Sequence, residues 1–345
     1  MNYPLLSIVI VTRNSEKTLP MVLKSIKKQN FPKKKLEVLI IDGMSTDKTR
    51  EIVKEFRFRL IDNPELGFVP GKHLGYLISK GEYLMYLDSD EEIENPDSLK
   101  NKISVFLSNK KIKAVTGNGY KNPKNFPWIS HYLNEFGDPF SYFIYSSTLN
   151  HEFFLKELSG KYSVMDENNN FSVFDFSKYE SLPLLEFVEM GGIIDLNYFK
   201  KTFPQIKKDP TLIAHFLNLL AKKRALIAIT KNDPIIHYSV DSIKKYLNKI
   251  SWRIRNNIYN KQTLALSGFE GREQLKSNSY KRYLFIPYSL SIIFPLIDAV
   301  YLSLTRRDLI FLMHPFLCIY TTFLIMYYYL LNLFGIKPTA RTYGS

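Results

Sequence analysis

Two carboxylates separated by one residue, Asp88 and Asp90, are the side chains in this sequence best suited to chemistry. They follow Tyr83 to Leu87, an apolar and aromatic stretch with the length of a β-strand. Ligands of open α/β sheets bind outside the carboxyl ends of the strands, and carboxylate oxygens suit Mg²⁺ and Mn²⁺. The pair could therefore hold a divalent metal over a diphosphate. The alternative interpretation is an acidic turn that caps the strand and precedes a helix beginning at Pro96.

The segment before this pair alternates strand-like and helix-like stretches, which is typical of right-handed βαβ units and a doubly wound sheet. Apolar runs predict strands at 6–12, 36–41, 59–61 and 83–87. Helices are expected at 15–28, 47–55 and 71–80. Ser45 or Thr46 could cap the second helix. Polar residues follow the strands at one predicted edge of the sheet: Thr12, Arg13, Asp42, Asp88 and Asp90. A nucleotide site needs such a convergence, which strengthens the metal interpretation.

The composition is that of a folded chain with a strong positive charge. Hydrophobic residues make up 45% of the 345 residues, enough for a large core, and the formal net charge is +14. Such a balance indicates an anionic partner: nucleic acid, an anionic membrane or a phosphorylated substrate. The single cysteine, Cys318, excludes an intrachain disulfide and fits a reducing compartment. The chain opens on a strand-like run rather than a basic leader, so no secretory signal is expected.

The C-terminal part is apolar. Residues 309–336 contain no formally charged side chain and are long enough to cross a bilayer as a helix. Residues 283–305 are also apolar but contain Pro287, Pro295 and Asp298. A second span, a kinked re-entrant segment and an interfacial helix all remain open for this first segment.

Basic pairs flank the first apolar segment at 281–282 and 306–307. The positive-inside rule places both pairs on the cytoplasmic side, whereas a two-span hairpin would separate them. We therefore expect the first segment to lie in or on the cytoplasmic leaflet and the second to span.

Residues 241–282 form a basic region, with ten lysines and arginines against three acids. Apolar residues recur there at steps of three and four, which predicts an amphipathic helix. They are Ile243, Leu247, Ile250, Ile254 and Ile258. Beside membrane segments, a basic amphipathic helix indicates contact with anionic lipid head groups; an ordinary surface helix packed by its stripe is the alternative. No nucleic-acid motif accompanies the charge, so nucleic acid is not expected as a partner.

Three stretches, in their order and spacing, resemble the GT-A-fold glycosyltransferases of family 2, inverting enzymes that use nucleotide-sugar donors. They are LSIVIVTRNSEKTLPMVLKSI at 6–26, EVLIIDGMSTDKT at 37–49 and GKHLGYLISKGEYLMYLDSDEEI at 71–93. The resemblance implies an α/β fold with a GT-A-type doubly wound mixed sheet flanked by helices. It also implies a nucleotide-sugar donor and a Mg²⁺ or Mn²⁺ ion.

The resemblance assigns donor-binding roles to particular positions. They are Thr12, Arg13, Glu16, Asp42, Lys72 and Asp88. The first four would surround the nucleotide base and ribose, and Lys72 lies in a segment that faces the donor. Asp88 and Asp90 would be the Asp-x-Asp pair, with Asp90 the better candidate for direct metal coordination. The family often has a second acidic residue after the position of Asp42, where this sequence has Gly43.

Further positions in the second half match the family less completely. MGGIIDLNYFKK at 190–201 resembles the acceptor-side stretch and contains Gly191 and Gly192. His237 matches a histidine that serves as a metal ligand or diphosphate contact in some members. Arg253 and Arg255 could fold back onto the diphosphate, with lipid contact as the alternative. Residues 160–182 are expected to form a long loop, either covering the acceptor or inserted at the surface.

The catalytic base is expected at Asp209. The family usually places a Glu-Asp pair at a helix start, and here the pair is Lys208-Asp209. Asp209 also precedes Pro210, a favoured first helical residue, so a helix cap is a compatible alternative. Glu189 and Asp195 are the fallback candidates.

The predicted organisation is a catalytic domain at 1–237, a basic juxtamembrane region at 238–282, membrane segments at 283–336 and a tail at 337–345. The predicted activity is inverting sugar transfer from a nucleotide-diphosphate sugar to a polyprenyl phosphate or a lipid-linked or surface glycan. The catalytic domain would lie on the cytoplasmic face of a membrane. Two alternatives remain: a membrane-anchored binding module that has lost catalysis, and a sugar nucleotidyltransferase, although that class needs a glycine-rich first loop.

Overall fold

The computed structural model describes residues 3–179, 190–259 and 280–336. In chain order, the strands are β1 (Leu6–Thr12), β2 (Leu36–Asp42), β3 (Arg59–Asp62), β4 (Tyr83–Tyr86), β5 (Glu91–Ile93), β6 (Ile112–Thr116), β7 (Tyr120–Lys121), β8 (Val164–Glu167), β9 (Phe171–Phe174), β10 (Ile193–Asp195), β11 (Leu226–Thr230) and β12 (Ile235–His237). The helices are α1 (Leu19–Lys27), α2 (Thr49–Glu55), α3 (Phe68–Ile78), α4 (Ser98–Ser108), α5 (Ile129–Phe136), α6 (Pro139–Tyr145), α7 (Phe154–Lys161), α8 (Leu196–Thr202), α9 (Phe216–Lys222), α10 (Ile243–Tyr259), α11 (Lys281–Ser291), α12 (Ile293–Arg306) and α13 (His314–Leu333).

Nine of the described strands form one mixed sheet in the order β3-β2-β1-β4-β10-β6-β11-β9-β8. β1 is parallel to β2 and β4, and all seven of its residues are buried, as expected for a continuous apolar strand covered on both faces. Thr12 lies opposite Asp42, which lies opposite Asp62, and Val9 lies opposite Tyr86. The carboxyl ends of these strands therefore share one edge, and the predicted doubly wound mixed sheet is confirmed.

β10 is inserted antiparallel between β4 and β6. Ile193 lies opposite Met85, and Asp195 lies opposite Tyr83 at the amino end of β4. The residues just before β10 therefore lie towards the carboxyl edge of the sheet. Asp195 lies at the opposite edge, ~16 Å from Asp88 at 3.3 Å per strand residue.

A second sheet of β5, β12 and β7 joins distant parts of the chain. β12 is antiparallel to β5, with His237 opposite Glu91. The amide of Tyr238 donates to the carbonyl of Asp90 over 2.9 Å. This pairing brings the end of β12 to the turn that follows β4.

The helix α3 packs closely on β1 through two glycines. A Cβ on Gly75 would lie 2.3 Å from Cγ1 of Val9, and one on Gly71 would lie 2.7 Å from Cγ1 of Val11. Only hydrogen fits at these positions without movement of the strand. The contact fixes the height of Lys72, which lies between the two glycines, relative to the sheet.

Some local predictions differ from the structure. Ser45 does not cap α2; its hydroxyl donates to Asp42, and the side chain of Asp47 accepts from the amide of Thr49 over 3.0 Å. The helix α4 begins at Ser98 rather than at Pro96.

The loop predicted at 160–182 is wrong for its described part, because β8 and β9 form a hairpin at the edge of the sheet. The Asn168 side chain accepts from the amides of Asn170 and Phe171 and so closes the turn.

The C-terminal segments are helical, as predicted. α11 and α12 meet at an angle of 89°, and by length and composition the bent pair could serve as a broken span or a re-entrant segment. Of the helices in the described ranges, one, Leu309–Leu333 (α13 with the 3₁₀ turn before it), is long and apolar enough to cross a membrane. A second buried cluster joins α5, α10, α12 and α13, with Tyr132, Tyr246, Leu302 and Leu317 among its members. The predicted tail at 337–345 lies outside the described residues.

Candidate active site

The turn between β4 and β5 carries Asp88, Ser89 and Asp90 at the carboxyl edge of the sheet. The Nζ of Lys72 lies 3.5 Å from Oδ1 of Asp88. The Oγ of Ser15, from the loop after β1, lies 2.9 Å from the Oγ of Ser89. The structure thus brings the loop after β1 and the turn after β4, which the sequence predicted to converge, together with the helix α3.

Lys72 is buried, with 5% of its surface exposed. Its Nζ lies 4.0 Å from the ring centre of Phe68 and 5.4 Å from that of Tyr86. Aromatic faces attract a cation in this arrangement. The ammonium group is therefore held at the end of β4, where it could also meet an anionic ligand.

Asp90 is paired with His237, whose Nε2 lies 3.6 Å from Oδ2 of Asp90. Burial would raise the pKa of Asp90, but the hydrogen bond and charge of His237, followed by the charge of Lys249, lower it on balance. The carboxyl group therefore stays ionised, as a metal ligand must be. The contribution of Lys249, on α10, was missed by sequence reasoning, which assigned the basic face of this helix to lipid.

Glu91 supports the turn from behind. The amide of Asp88 donates to Oε2 of Glu91 over 3.1 Å, and the hydroxyl of Tyr120 donates to Oε1 over 2.6 Å. Burial, and then the charge of Asp88, raise the pKa of Glu91 well above its ordinary value. Sequence reasoning missed this residue, although the third acid of the DSDEE run was a signal for it.

Asp42 is fully buried at the end of β2 and is already charge-paired. Its carboxylate accepts from the hydroxyl of Ser45 over 2.5 Å and from Arg50 over 2.7 Å. Arg50 also contacts Asp62 over 2.7 Å. A nucleoside at this edge would therefore meet an Asp42–Arg50 pair, and Arg50 is a candidate that sequence reasoning missed.

The loop after β1 is tied to the loop after β2. The amide of Glu16 donates to Asp47 over 3.1 Å, and the amide of Lys48 donates to Glu16 over 3.1 Å. Thr12 is buried, and its hydroxyl has no hydrogen-bond partner within the described ranges. Arg13 lies beside Gly43, where an added Cβ would be 3.5 Å from the Arg13 Cβ. Glu16 thus holds the loops, whereas the Thr12 hydroxyl could serve a ligand.

Gly191, the first residue of the Gly191–Gly192 pair, lies in a narrow space beside β4. Gly191 has φ +61°, and an added Cβ would lie 2.8 Å from Cδ1 of Ile235 and 3.2 Å from Cε of Met85. Both the backbone conformation and the space therefore require glycine at position 191. The predicted acceptor-side role of the pair stays a prediction.

Asp209 caps the 3₁₀ turn Pro210–His215. Its carboxylate accepts from the amide of Thr211 over 2.9 Å and from the hydroxyl of the same residue over 2.5 Å. This turn packs against α3, the helix that carries Lys72. The capping interpretation is confirmed, and the role as base, which is compatible with it, stays a prediction.

The two fallback bases are not at this edge in the described structure. Asp195 pairs with Lys113 over 2.7 Å and caps α8, at the opposite edge of the sheet. Its position therefore argues against a role in proton transfer beside Asp88. Glu189 lies outside the described residues.

The two arginines of α10 lie on a helix that packs against α5. Arg253 contacts Asp138 over 2.8 Å, and the side chain of Arg255 is half-buried. Their contact with a diphosphate stays a prediction.

The donor set suits a metal that is completed by substrate. Among residues 3–179, 190–259 and 280–336, no group of three His, Cys, Asp or Glu could hold a metal alone. Mg²⁺ commonly takes one or two carboxylates together with substrate phosphates. Asp90 and His237 present two donor atoms 3.6 Å apart, and Asp88 follows the same strand. These residues fit such a shared site.

An open sheet whose carboxyl edge gathers acidic residues and a buried lysine is the architecture of a nucleotide-binding α/β enzyme. A model of the family described as "Glycosyl transferase family 2" matches residues 7–182, just over half of the chain. The chain belongs to this family, as the sequence motifs predicted.

Two curated relatives each match about a third of this chain. The Staphylococcus aureus poly(ribitol-phosphate) beta-N-acetylglucosaminyltransferase TarS is 34% identical over 128 residues, which are 33% of this chain and 22% of the relative. The Methanococcus voltae dolichyl N-acetyl-alpha-D-glucosaminyl phosphate 3-beta-D-2,3-diacetamido-2,3-dideoxy-beta-D-glucuronosyltransferase is 31% identical over 113 residues, which are 31% of this chain and 35% of the relative. The match thus spans about a third or less of each relative.

One solved structure resembles nearly the whole chain. It is the mannosyltransferase PcManGT from Pyrobaculum calidifontis, in complex with GDP-Man and Mn²⁺. The match covers 95% of this chain and 88% of that protein, with 13% identity and a TM-score of 0.53. At this identity the likeness concerns the fold, and it extends beyond the region that the family model matches.

Proposed function

We propose that this chain moves a sugar from a nucleotide-diphosphate sugar to a membrane-associated acceptor, with inversion and with Mg²⁺ or Mn²⁺ at the Asp-x-Asp turn. The proposal is carried by the pairing of Lys72 with Asp88 and of His237 with Asp90 at one sheet edge. Together they offer a cation for a diphosphate and ionised oxygen for a metal. PcManGT, which has a similar fold, was solved with GDP-Man and Mn²⁺.

The donor would lie across the ends of β1, β2 and β4. The buried hydroxyl of Thr12 and the Asp42–Arg50 pair would meet the nucleoside. Lys72 would donate a charge-assisted hydrogen bond to the diphosphate. Arg13 lies at the same carboxyl edge of the sheet. Glu16 would act indirectly, by holding the loop after β1 against the loop after β2.

The metal supplies Lewis-acid stabilisation for the negative charge that develops on the leaving diphosphate. Asp90 would hold it, with its carboxylate kept ionised by His237. Asp88 would contribute a second oxygen, and Glu91 fixes the backbone between the two.

Asp209 would accept the proton of the acceptor hydroxyl as its oxygen attacks the anomeric carbon. The bond from that carbon to the diphosphate oxygen breaks, and its electron pair leaves with the diphosphate. Attack opposite the leaving group inverts the configuration. If the acceptor is a polyprenyl phosphate, its oxygen is already anionic and Asp209 would only position it.

The acceptor is proposed to be a polyprenyl phosphate or a lipid-linked or surface glycan, presented at the cytoplasmic face of a membrane. The apolar residues 283–336 and the basic region before them support this location. The names of the relatives refer to a dolichyl-linked sugar and to poly(ribitol-phosphate). The proposed organisation keeps the catalytic domain at 1–237 and the basic region at 238–282.

Donor turnover tests this function. The full chain in detergent is given a panel of nucleotide sugars, a lipid extract and Mn²⁺ or Mg²⁺, and released nucleoside diphosphate is measured. We expect metal-dependent release that falls by about 10²–10³-fold in Asp90→Asn, a size typical of losing one electrostatic stabiliser. Asp166→Asn, at an exposed carboxyl group of β8, is the matched control and should keep full activity.

The outcome separates the enzyme from the alternative. If the folded parent chain releases nothing from any donor and binds no nucleotide in a metal-dependent manner, the enzymatic function is wrong. Metal-dependent nucleotide binding without release would favour the binding module that has lost catalysis.

A further inference from the structure

The exposed apolar surface is concentrated at one end of the chain. Of 30 large hydrophobic side chains that are exposed in the described ranges, 23 lie between Tyr280 and Ile336. Soluble monomers rarely expose contiguous apolar patches larger than a few hundred Å². These helices therefore need an apolar partner.

The helix α13 has two different long faces. The exposed side chains Phe316, Phe323, Tyr327, Leu330 and Phe334 follow one another at steps of three, four and seven along one stripe. A second stripe contains Leu317, Thr321, Leu324 and Tyr328, which are buried or packed against the protein. The first half of the helix is therefore covered by protein on most of its surface, whereas its second half also exposes Met326, Tyr329 and Leu333.

α12 shows the same division. Ile293, Ile297, Val300 and Leu304 are exposed at steps of three and four. Pro295, Ala299 and Leu302, on the other face, are buried.

The basic helix α10 runs beside α13 instead of stopping at its base. Ile250 belongs to the same buried cluster as Leu317. Further along, the hydroxyl of Tyr259 donates to the carbonyl of Tyr328 over 2.6 Å, and Ser251 Oγ lies 2.8 Å from the Tyr328 hydroxyl. The contact continues to a point ~21 Å along α13 from His314, at 1.5 Å per residue.

This contact is incompatible with α13 crossing a bilayer alone. α10 carries Lys249, Arg253 and Arg255, so a spanning α13 would draw these charges into hydrocarbon. Charged side chains are strongly disfavoured there.

The bent pair of α11 and α12 ends in contact with α7, and its first residue carries a charge that acts on the same helix. Arg306, at the end of α12, contacts Glu157 of α7 over 2.6 Å. Lys281 begins α11, and its charge adds to burial in lowering the pKa of Lys161, at the end of α7. The pair therefore leaves and returns on one side.

We propose that α11, α12 and α13 form a monotopic platform that lies along one anionic leaflet, half sunk in the acyl chains, and that none of them crosses the bilayer. The net charge of +14 and the exposed cations Arg282 and Arg307 complement an anionic surface. The proposal rests on the membrane attachment in the proposed function and replaces the span that length and composition predict for α13.

The helix α10 connects the candidate site to the platform at the membrane surface. Lys249 of α10 acts on Asp90, while the apolar stripe of the same helix packs on α13. α10 therefore links the platform to the neighbourhood of the metal turn. An acceptor whose reactive group lies among the lipid head groups would be within reach.

Depth measurements test the proposal. Single cysteines replace Phe316, Phe323 and Leu330, are labelled with a fluorophore, and are quenched by lipids that carry quenchers at graded depths. The vesicles are phosphatidylcholine with and without phosphatidylglycerol. We expect the three positions to share one shallow depth, ~5–10 Å into the head-group boundary, and binding to strengthen with phosphatidylglycerol. Lys34→Cys, at an exposed position away from the helices, is the matched aqueous control, and buried Cys318 stays in place as the background.

Sidedness gives a second readout. An impermeant maleimide is added to sealed vesicles that received the protein from outside, with Lys34→Cys in the catalytic domain and Ser345→Cys at the C-terminal end. Labelling of both supports the platform. Protection of Ser345→Cys until detergent is added, or depths that increase by ~21 Å from position 316 to 330, would show a span and overturn the proposal.

Absence of lipid quenching at positions 316, 323 and 330 would also overturn the platform proposal. The exposed stripe of α13 would then be covered by another chain and not by lipid. Donor release in detergent is measured separately. The platform can therefore fail while the proposed enzymatic function stands.

Discussion

Replacing Arg306 should weaken the packing of the apolar helices on the rest of the protein. Its Nε lies 2.5 Å from Oε1 of Glu135, and its NH2 lies 2.6 Å from Oε1 of Glu157. The guanidinium lies 4.0 Å above the ring of Phe153. Arg306 is 11% exposed and Glu135 only 2%, so this is a buried ion pair rather than a surface one.

The expected size of the effect follows from these environments. Removing one partner of a buried pair costs about 3–5 kcal/mol, because the other charge stays buried without compensation. The half-exposed Glu157 adds less than about 1 kcal/mol. Burial already raises the pKa of Glu135 against the lowering effect of Arg306. In Arg306→Met, Glu135 should therefore take up a proton. This places the loss of stability near the lower end of the range, at about 3 kcal/mol.

The loss should depend on pH with a defined sign. A carboxyl group whose pKa is raised in the folded state binds more protons there than in the unfolded chain. Stability therefore falls as pH rises from the unfolded value of about 4.3 through the folded pKa. The difference between parent and Arg306→Met should be larger at the alkaline end of this window. The double variant Arg306→Met/Glu135→Gln should regain most of the loss.

Denaturant unfolding in detergent, followed by tryptophan fluorescence, measures the effect. The only tryptophans are Trp128, which precedes α5, and Trp252, on α10. Both therefore report on the region where the helices dock. Arg307→Met, at the exposed neighbouring arginine, is the matched control and should change stability by less than about 0.5 kcal/mol. Equal small losses in both variants, or a double variant no more stable than Arg306→Met, would refute the reasoning.

Three further results are expected. In Gly75→Ala, the added methyl group would lie 2.3 Å from Cγ1 of Val9, so thermal unfolding should show a loss of stability of about 1–3 kcal/mol. An unchanged Tm would contradict this close approach of α3 to β1. Burial would raise the pKa of Asp308, but the hydrogen bond with His131 lowers it on balance. The resulting stabilisation exists above the unfolded pKa of about 3.9 and disappears as pH falls through the folded value. The free energy of unfolding of Asp308→Asn should therefore fall less steeply at acid pH than that of the parent chain. Equal slopes for the two proteins would contradict this contribution of Asp308. His237→Gln should weaken the apparent Mn²⁺ affinity about 10–100-fold in donor turnover, whereas an unchanged metal dependence would leave His237 a structural role only.

The sequence could predict the carboxyl edge because its determinants are local. β1 is a continuous apolar run, and parallel neighbours joined by right-handed crossovers end at the same edge. Asp42, Asp88 and Asp90 could therefore be grouped before any contact was known. The pairing of β12 with β5, which places His237 beside Asp90, joins residues far apart in the chain. No local pattern encodes that register, and only the family resemblance pointed to the histidine.

The residues that hold Asp42 and the Asp88–Asp90 turn in place were harder to predict. Glu91 is adjacent in sequence, but its role depends on burial and on the Tyr120 hydroxyl from another sheet strand. Arg50 reaches Asp42 from the first turn of α2, where a basic residue would ordinarily be solvated. Both residues act through tertiary contacts that composition and spacing do not report.

Hydropathy alone cannot separate a spanning helix from a half-sunken one. Over the length of α13 the two have the same apolar content, and only the distribution around the axis differs. His314, Cys318 and Thr321 share the buried side of α13, and these smaller or more polar side chains mark a face that meets protein. These side chains can be interpreted in this way only once the structure shows which helices pack against that face of α13.

The charge of α10 is divided between two functions, although the sequence suggests one. Arg253 is paired with Asp138, and Lys249 acts on Asp90, so these two cations serve the catalytic domain. Lys244 and Lys245 are exposed and remain for an anionic surface, Lys245 with Asp241 beside it. One helix thus packs on α13 with its apolar stripe and acts on the charge of Asp90 through Lys249. A displacement of α10 together with the platform would therefore change the electrostatic environment of the carboxylate that is proposed to hold the metal.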